Sequence, residues 1–163
     1  MNPFGLLGRR PANLEQLARA LLPNPKPGRF FTEAERRTLM AVAEVVLADS
    51  PVKLSPAEVA DNVDTLLREG GSRRAWRVRL LYVVVELAPV FMLRERPFSR
   101  QSPASRRRLI EAHFQHGRGV WAICAKARHL VYLGCYADAR ANAAVGFVPV
   151  AERERYTRRQ TAT

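Results

Sequence analysis

The chain has 163 residues, one domain by length and enough to bury a core. Hydrophobic residues at 47% and charged residues at 26% are ordinary values for a globular protein and not those of a disordered one. The formal net charge of +12 is carried almost wholly by arginine, since Lys26, Lys53 and Lys126 are the only lysines. Such a balance suits an acidic partner, nucleic acid or an anionic membrane surface, or else reflects a compositional bias toward Arg and Ala.

Residues 1–28 read as an arm. Asn13-Leu-Glu-Gln16 has the form of a capping box that opens a short helix, and Pro23-Asn-Pro-Lys-Pro-Gly28 stops it. Residues 29–150 read as the helical domain. Thr32-Glu-Ala-Glu35 is a second capping box, and Leu39, Val42, Ala43, Val46 and Leu47 share one face of the helix that follows, up to about Ala48. Ser55-Pro56-Ala-Glu58 starts the next, with Pro at its first helical position; Val59, Val63, Leu66 and Leu67 form its apolar face, and Gly70-Gly71 closes it.

The longest helix is expected from Ser72 to about Arg96. Its apolar run, Leu80 to Leu93, covers 14 residues, about 21 Å against the roughly 30 Å of a bilayer core. Glu86 interrupts the run and Pro89 is placed to kink it, so it reads as a buried core helix, with membrane-surface contact as the alternative because Arg residues flank both ends. Glu86 needs a partner there, and Arg79, Arg128 and Arg140 are the candidates. Ser102-Pro103 opens a further helix, with Arg106-Arg107-Arg108 facing outward and Leu109, Ile110, Ala112 and Phe114 inward. Residues 151–163 form a charged tail. The reading is all-α: a single compact domain of six or seven helices with flexible termini, packed around helices at 72–96 and 118–137.

The stretch from Arg118 to Pro149 is the richest. Val120, Cys124, Ala127, Leu130, Val131, Gly134 and Cys135 fall along one side of a helix, with Trp121, Ala125, Tyr132 and Tyr136 as a neighbouring stripe. A helix apolar on most sides is central or shared with a partner chain. Cys124 and Cys135 are eleven residues apart, about 16 Å of helical rise, too far for a disulfide. They read as small buried apolar residues.

Motifs for chemistry are sparse. Gly117-Arg-Gly119 is too short for a dinucleotide loop, and no phosphate loop, nucleophile elbow or paired Cys-x-x-Cys occurs. His113 and His116 lie one turn apart, but a zinc site needs three or four converging ligands, and a third would have to come from His129 or a distant acid. The expectation is no catalytic residue, no cofactor and no metal in this chain. Arg73-Arg74 and Arg106-Arg107-Arg108 suit phosphates, yet no frame for reading bases is placed. Arg9-Arg10 is followed by no apolar segment. A cytoplasmic or peripheral-membrane location is therefore expected, with export only if a partner carries the signal.

Tyr132-Leu-Gly-Cys-Tyr136-Ala-Asp138-Ala-Arg140, followed by Gly146-Phe147-Val148-Pro149, resembles the C-terminal signature of the gluconate 2-dehydrogenase subunit 3 family. Tyr136, Asp138, Arg140, Gly146 and Pro149 fit that pattern; Cys135 and Ala139 depart from it, and Phe147 stands where Tyr is commoner. Phe30 to Glu35 and Ala57 to Asp64 resemble the family's first and second helices, extending the likeness over roughly residues 30–150. The resemblance implies a non-catalytic small subunit that binds and stabilises a FAD-dependent GMC-type oxidoreductase acting on an alcohol, sugar or sterol-like substrate. FAD would sit in that large subunit, and an electron-transfer protein would be reached through it. Trp121, Tyr132, Tyr136, Asp138, Arg140 and Phe147 are the expected interface residues. The alternatives are a basic helical nucleic-acid-binding or regulatory protein, and a membrane-surface adaptor.

Overall fold

The computed structural model describes residues 22–51, 53–71, 75–114 and 117–144. The Asn13 capping box, Ser72 to Arg74, His116, Gly146 to Pro149 with Phe147, the expected flexible termini and the charged tail lie outside the described residues. Six α-helices follow in order: α1 (Glu33–Leu47), α2 (Pro56–Glu69), α3 (Ala75–Leu93), α4 (Pro103–Leu109), α5 (Val120–Tyr136) and α6 (Ala139–Ala144). A 3-10 turn, Phe98–Arg100, precedes α4, and a π-helical turn, Ile110–Phe114, extends it. Among the described residues there is no strand. The chain is an all-α protein.

The helix starts are set by local chemistry. In front of α1 the Glu35 N–H donates to Thr32 Oγ1 at 3.3 Å and the Thr32 N–H donates to Glu35 Oε2 at 2.8 Å, so both capping contacts are made. Ser55 and Glu58 repeat the arrangement in front of α2 at 3.2 and 2.8 Å. Ser102 caps α4 by accepting from the Ser105 N–H at 3.2 Å, with Pro103 in the first helical position. α3 runs through Pro89 as one element. It ends where Arg94 adopts a φ of 56° and the Glu95 N–H turns back to the Pro89 carbonyl at 3.1 Å.

The core is one cluster. Leu39, Val42 and Ala43 of α1, Val59 and Ala60 of α2, Tyr82 of α3, and Cys124, Ala127 and Val131 of α5 are all fully enclosed. α5 packs on α1, α2, α3 and the π turn, and α1 packs on α2, α3, α4, α5 and the 3-10 turn. The helices at 72–96 and 118–137 that the sequence pointed to pack together as α3 and α5, and α1 joins them by touching four helices and the 3-10 turn. α2 and α5 approach closely at Gly134, where an added Cβ would lie 2.5 Å from Val63 Cγ2 and 2.8 Å from the Val59 carbonyl oxygen. The Asn62 amide donates to the Gly134 carbonyl across this contact at 3.0 Å.

Three expectations are corrected. α3 is not enclosed: Leu81, Tyr82, Val85, Ala88 and Pro89 are buried, but Leu80, Leu87, Phe91, Met92 and Leu93 are exposed. Nothing among the described residues covers its second face. Arg106 does not face outward; it is buried, pairs with Glu44 at 2.9 Å and reaches the Ala41 carbonyl at 3.4 Å, because α4 lies across α1. On α2, Leu66 is 45% exposed. The buried position near it is Asp64, whose Oδ1 accepts the N–H groups of Phe30 and Phe31 at 3.0 and 3.1 Å. That carboxylate fixes the lead-in to α1 and sets Phe31 edge-on to Tyr82, with ring centres 5.4 Å apart.

Candidate interaction surface

Helix α5 buries Cys124, Ala127, Val131, Gly134 and Cys135, the side its spacing marked out. Both cysteines are free and buried as expected. Burial pushes the Cys124 thiol up to about 12 and raises that of Cys135, so neither is disposed to act as a thiolate. The opposite side of the same helix keeps large apolar groups in solvent: Tyr132 is 38% exposed, Leu133 58% and Tyr136 52%.

Tyr132 and Tyr136, one turn apart, line a groove of about 420 Å³. Its other walls come from Val45, Leu47 and Pro51 at the end of α1, from Ile110 and from Ala141 of α6. Arg128 sits one turn before Tyr132 and reaches its hydroxyl at 3.5 Å. Arg107 stands at the rim, held to Asp49 at 2.6 Å and Glu111 at 2.9 Å. The surface is thus two phenols over an apolar floor with guanidinium groups beside it. Phenol rings next to arginines suit a protein contact, since each ring brings apolar area and a hydroxyl able to donate or accept.

The other expected interface residues are placed differently. Trp121 is half-buried against the core and stacks on the His113 ring at 4.5 Å. Asp138 is the N-cap of α6, its Oδ1 accepting from the Arg140 N–H at 2.8 Å. The Arg140 guanidinium bridges Asp138 at 2.9 Å and Glu58 at 2.7 Å, while Glu58 also closes the α2 capping box. These three groups form one chain of contacts from α6 to the start of α2. Arg140 and the Ser55 donors hold the Glu58 carboxyl down at about 2, and Arg140 lowers that of Asp138. Phe147 lies outside the described residues.

A second groove, about 730 Å³, runs between α1 and α3. Glu86 lines it without any of the arginine partners expected for it. Its Oε2 accepts from Thr38 Oγ1 at 2.9 Å and the Ser99 N–H at 3.0 Å, and its Oε1 accepts from Ser99 Oγ at 2.7 Å. Two donors from Ser99 in the 3-10 turn and one from Thr38 of α1 satisfy the carboxylate without a cation. Arg79 goes instead to Glu35 at 3.0 Å and to the Pro23 carbonyl, and Arg140 to α6 and α2. Among the described residues no group of three His, Cys, Asp or Glu side chains converges to hold a metal ion.

Sequence reasoning missed Glu35, Asp64 and Arg106 as buried polar anchors. Only Glu35 carried a signal, its place in a capping box. No family model, curated protein or solved structure matches this chain.

Proposed function

We propose that this chain is a non-catalytic, partner-binding subunit, and that its partner is a FAD-dependent oxidoreductase of the GMC type acting on an alcohol, sugar or sterol-like substrate. In this reading the partner holds the flavin and the reacting groups and passes electrons onward. The helical chain supplies a rigid face that stabilises the partner.

One coincidence carries the reading. The stretch that resembles the small-subunit signature is also the stretch whose aromatic groups are left in solvent over a groove, Tyr132 with Tyr136. The Asp138–Arg140–Glu58 contacts tie α6, whose Ala141 lines that groove, to the start of α2, so those two signature residues position the surface while the tyrosines meet the partner. Tyrosine is among the residues whose truncation at an interface costs most, about 2 kcal/mol or more at the centre of a contact, or more than tenfold in affinity.

The test is to purify this chain through a tag after co-expression with a candidate flavoprotein, and to record the visible spectrum and the stoichiometry. The expected result is flavin absorption with a co-eluting large chain, reduced at least about tenfold in the Tyr136→Asp variant. A colourless, lone chain, or co-purification unchanged by Tyr136→Asp, would overturn the reading.

A further inference from the structure

Helix α3 is apolar on two opposite sides. With 3.6 residues per turn, Leu81, Val85, Ala88 and Pro89 point into the core, and all four are buried. Trp76, Leu80, Val83, Leu87 and Phe91 recur at steps of four and three, and so form a second stripe on the far side. Leu80 and Leu87 on that stripe are exposed, and Phe91 is the most exposed large apolar residue described, at 76%. The stripe spans residues 76 to 91, fifteen steps and about 22 Å of helix. At its end Met92 and Leu93 are exposed as well, so the last three residues of α3 all stand in solvent. The core accounts for the first face and for none of the second.

Arginines flank the second face, with Glu95 between two of them and Glu35, Glu44 and Glu86 in the lining of the adjoining groove. Arg77 stands at its start with its guanidinium 5.4 Å from the Trp76 ring centre. Arg94 and Arg96 follow its end, and Arg37 and Arg100 line the groove beside Val83 and Leu87. Among the described residues, Arg37, Arg94, Arg96 and Arg100 make no ion pair. Arg29, Arg36, Arg79, Arg106, Arg107 and Arg140 all have acidic partners, while Arg68 of α2, Arg118 before α5 and Arg128 of α5 make no ion pair among the described residues. Guanidinium groups without an acidic partner thus stand beside the uncovered apolar stripe, though not only there. Among the described residues no helix is long and apolar enough to cross a membrane, and a stripe with flanking cations is suited to lie along one.

We infer that the outer face of α3 is a docking surface for an anionic lipid bilayer, with Leu80, Leu87 and Phe91 entering the boundary between headgroups and acyl chains and Arg37, Arg94, Arg96 and Arg100 meeting lipid phosphates. The geometry is that of a helix lying in the plane of the interface, its apolar side down and its cations at headgroup level. Each such cation near an anionic surface adds about 1 kcal/mol, roughly a fivefold gain in partitioning. The inference does not depend on the flavoprotein reading, because it uses a different helix and a different ligand.

The experiment is flotation of the full chain with vesicles of phosphatidylglycerol and phosphatidylcholine, and with vesicles of phosphatidylcholine alone. Expected is binding to the anionic vesicles, weakened by salt and weaker by at least about tenfold on the neutral ones. Leu87→Asp and Phe91→Asp each lower partitioning about tenfold or more. Leu133→Asp, on the exposed side of α5, leaves it unchanged. Both α3 sites are exposed, and circular dichroism checks that the variants fold. Quenching of tryptophan emission by brominated lipids, lost in Trp76→Phe while binding persists, would place the ring at the acyl boundary.

Binding that ignores Leu87→Asp and Phe91→Asp but falls with salt would be adsorption of a basic protein and would overturn the assignment of this face. So would a chain that ignores anionic vesicles. If Leu87→Asp instead abolishes capture of a protein partner by a chain that binds no vesicles, the face is a protein interface and the lipid proposal fails.

Discussion

Helices α2 and α3 are neighbours in sequence and opposites in design. α2 buries Val59, Ala60 and Val63 and turns Asp61, Arg68 and Glu69 toward solvent, with Asp61 holding Arg29 and Arg36 at 2.9 Å each. Its outer face is what a surface helix needs. α3 buries one side just as well and then presents Leu80, Leu87 and Phe91 on the other. The fold explains α2 except for the exposed Leu66, and half of α3. An apolar face that the fold leaves unexplained, bordered by unpaired cations, is where an outside ligand belongs.

The largest effect should come from the inner side of α3. Leu81→Ala empties a buried site and should cost about 2–5 kcal/mol, read as a fall in the urea midpoint with an unchanged slope. A loss below 1 kcal/mol would mean the two faces are not distinct. On the α2 side, Gly134→Ala puts a Cβ against Val63 and the Val59 carbonyl and should cost about 1–3 kcal/mol by overpacking. An unchanged thermal midpoint would show that α2 and α5 separate easily.

A smaller, pH-dependent effect should come from Arg140. The Glu58 carboxyl is held at about 2, below its ordinary 4.5, chiefly by Arg140. A lowered carboxyl contributes stability that is complete above about pH 4.5 and is lost as pH falls through about 2. Arg140→Ala should therefore lower the thermal midpoint at neutral pH, and the two proteins should converge as pH approaches 2. A constant gap across that window would remove Arg140 from the cause. The smallest effect is the sharpest contrast with the first: Leu80→Ser, one residue from Leu81 but on the outer face, should change stability by no more than about 0.5 kcal/mol.

Much of the frame was readable in the sequence because it is local. Thr32 with Glu35, Ser55 with Glu58, and Ser102 before Pro103 each announce a helix start through contacts three residues apart. The spacing of Cys124, Ala127, Val131 and Gly134 marks one buried side of α5. What escaped was non-local. Asp64 is buried because backbone N–H groups from Phe30 and Phe31 come to it across 34 and 33 residues of chain. Arg106 sits in the core because α4 crosses α1, and no run of three arginines says which one turns in. Periodicity identified α3 as apolar but not which of its two faces the other helices cover. For the surface on α5, the sequence singled out Tyr132 and Tyr136. It did not separate them from Trp121, which stacks on His113, or from Arg140, which is tied to Asp138 and Glu58.

The account assigns two faces to two ligands, and one paired measurement tests it directly. Tyr136→Asp and Leu87→Asp are each assayed for capture of the flavoprotein and for flotation on anionic vesicles. The account predicts that Tyr136→Asp loses the flavin and keeps the vesicles, while Leu87→Asp keeps the flavin and loses the vesicles. The crossed pattern, or both activities lost together in folded proteins, would contradict it.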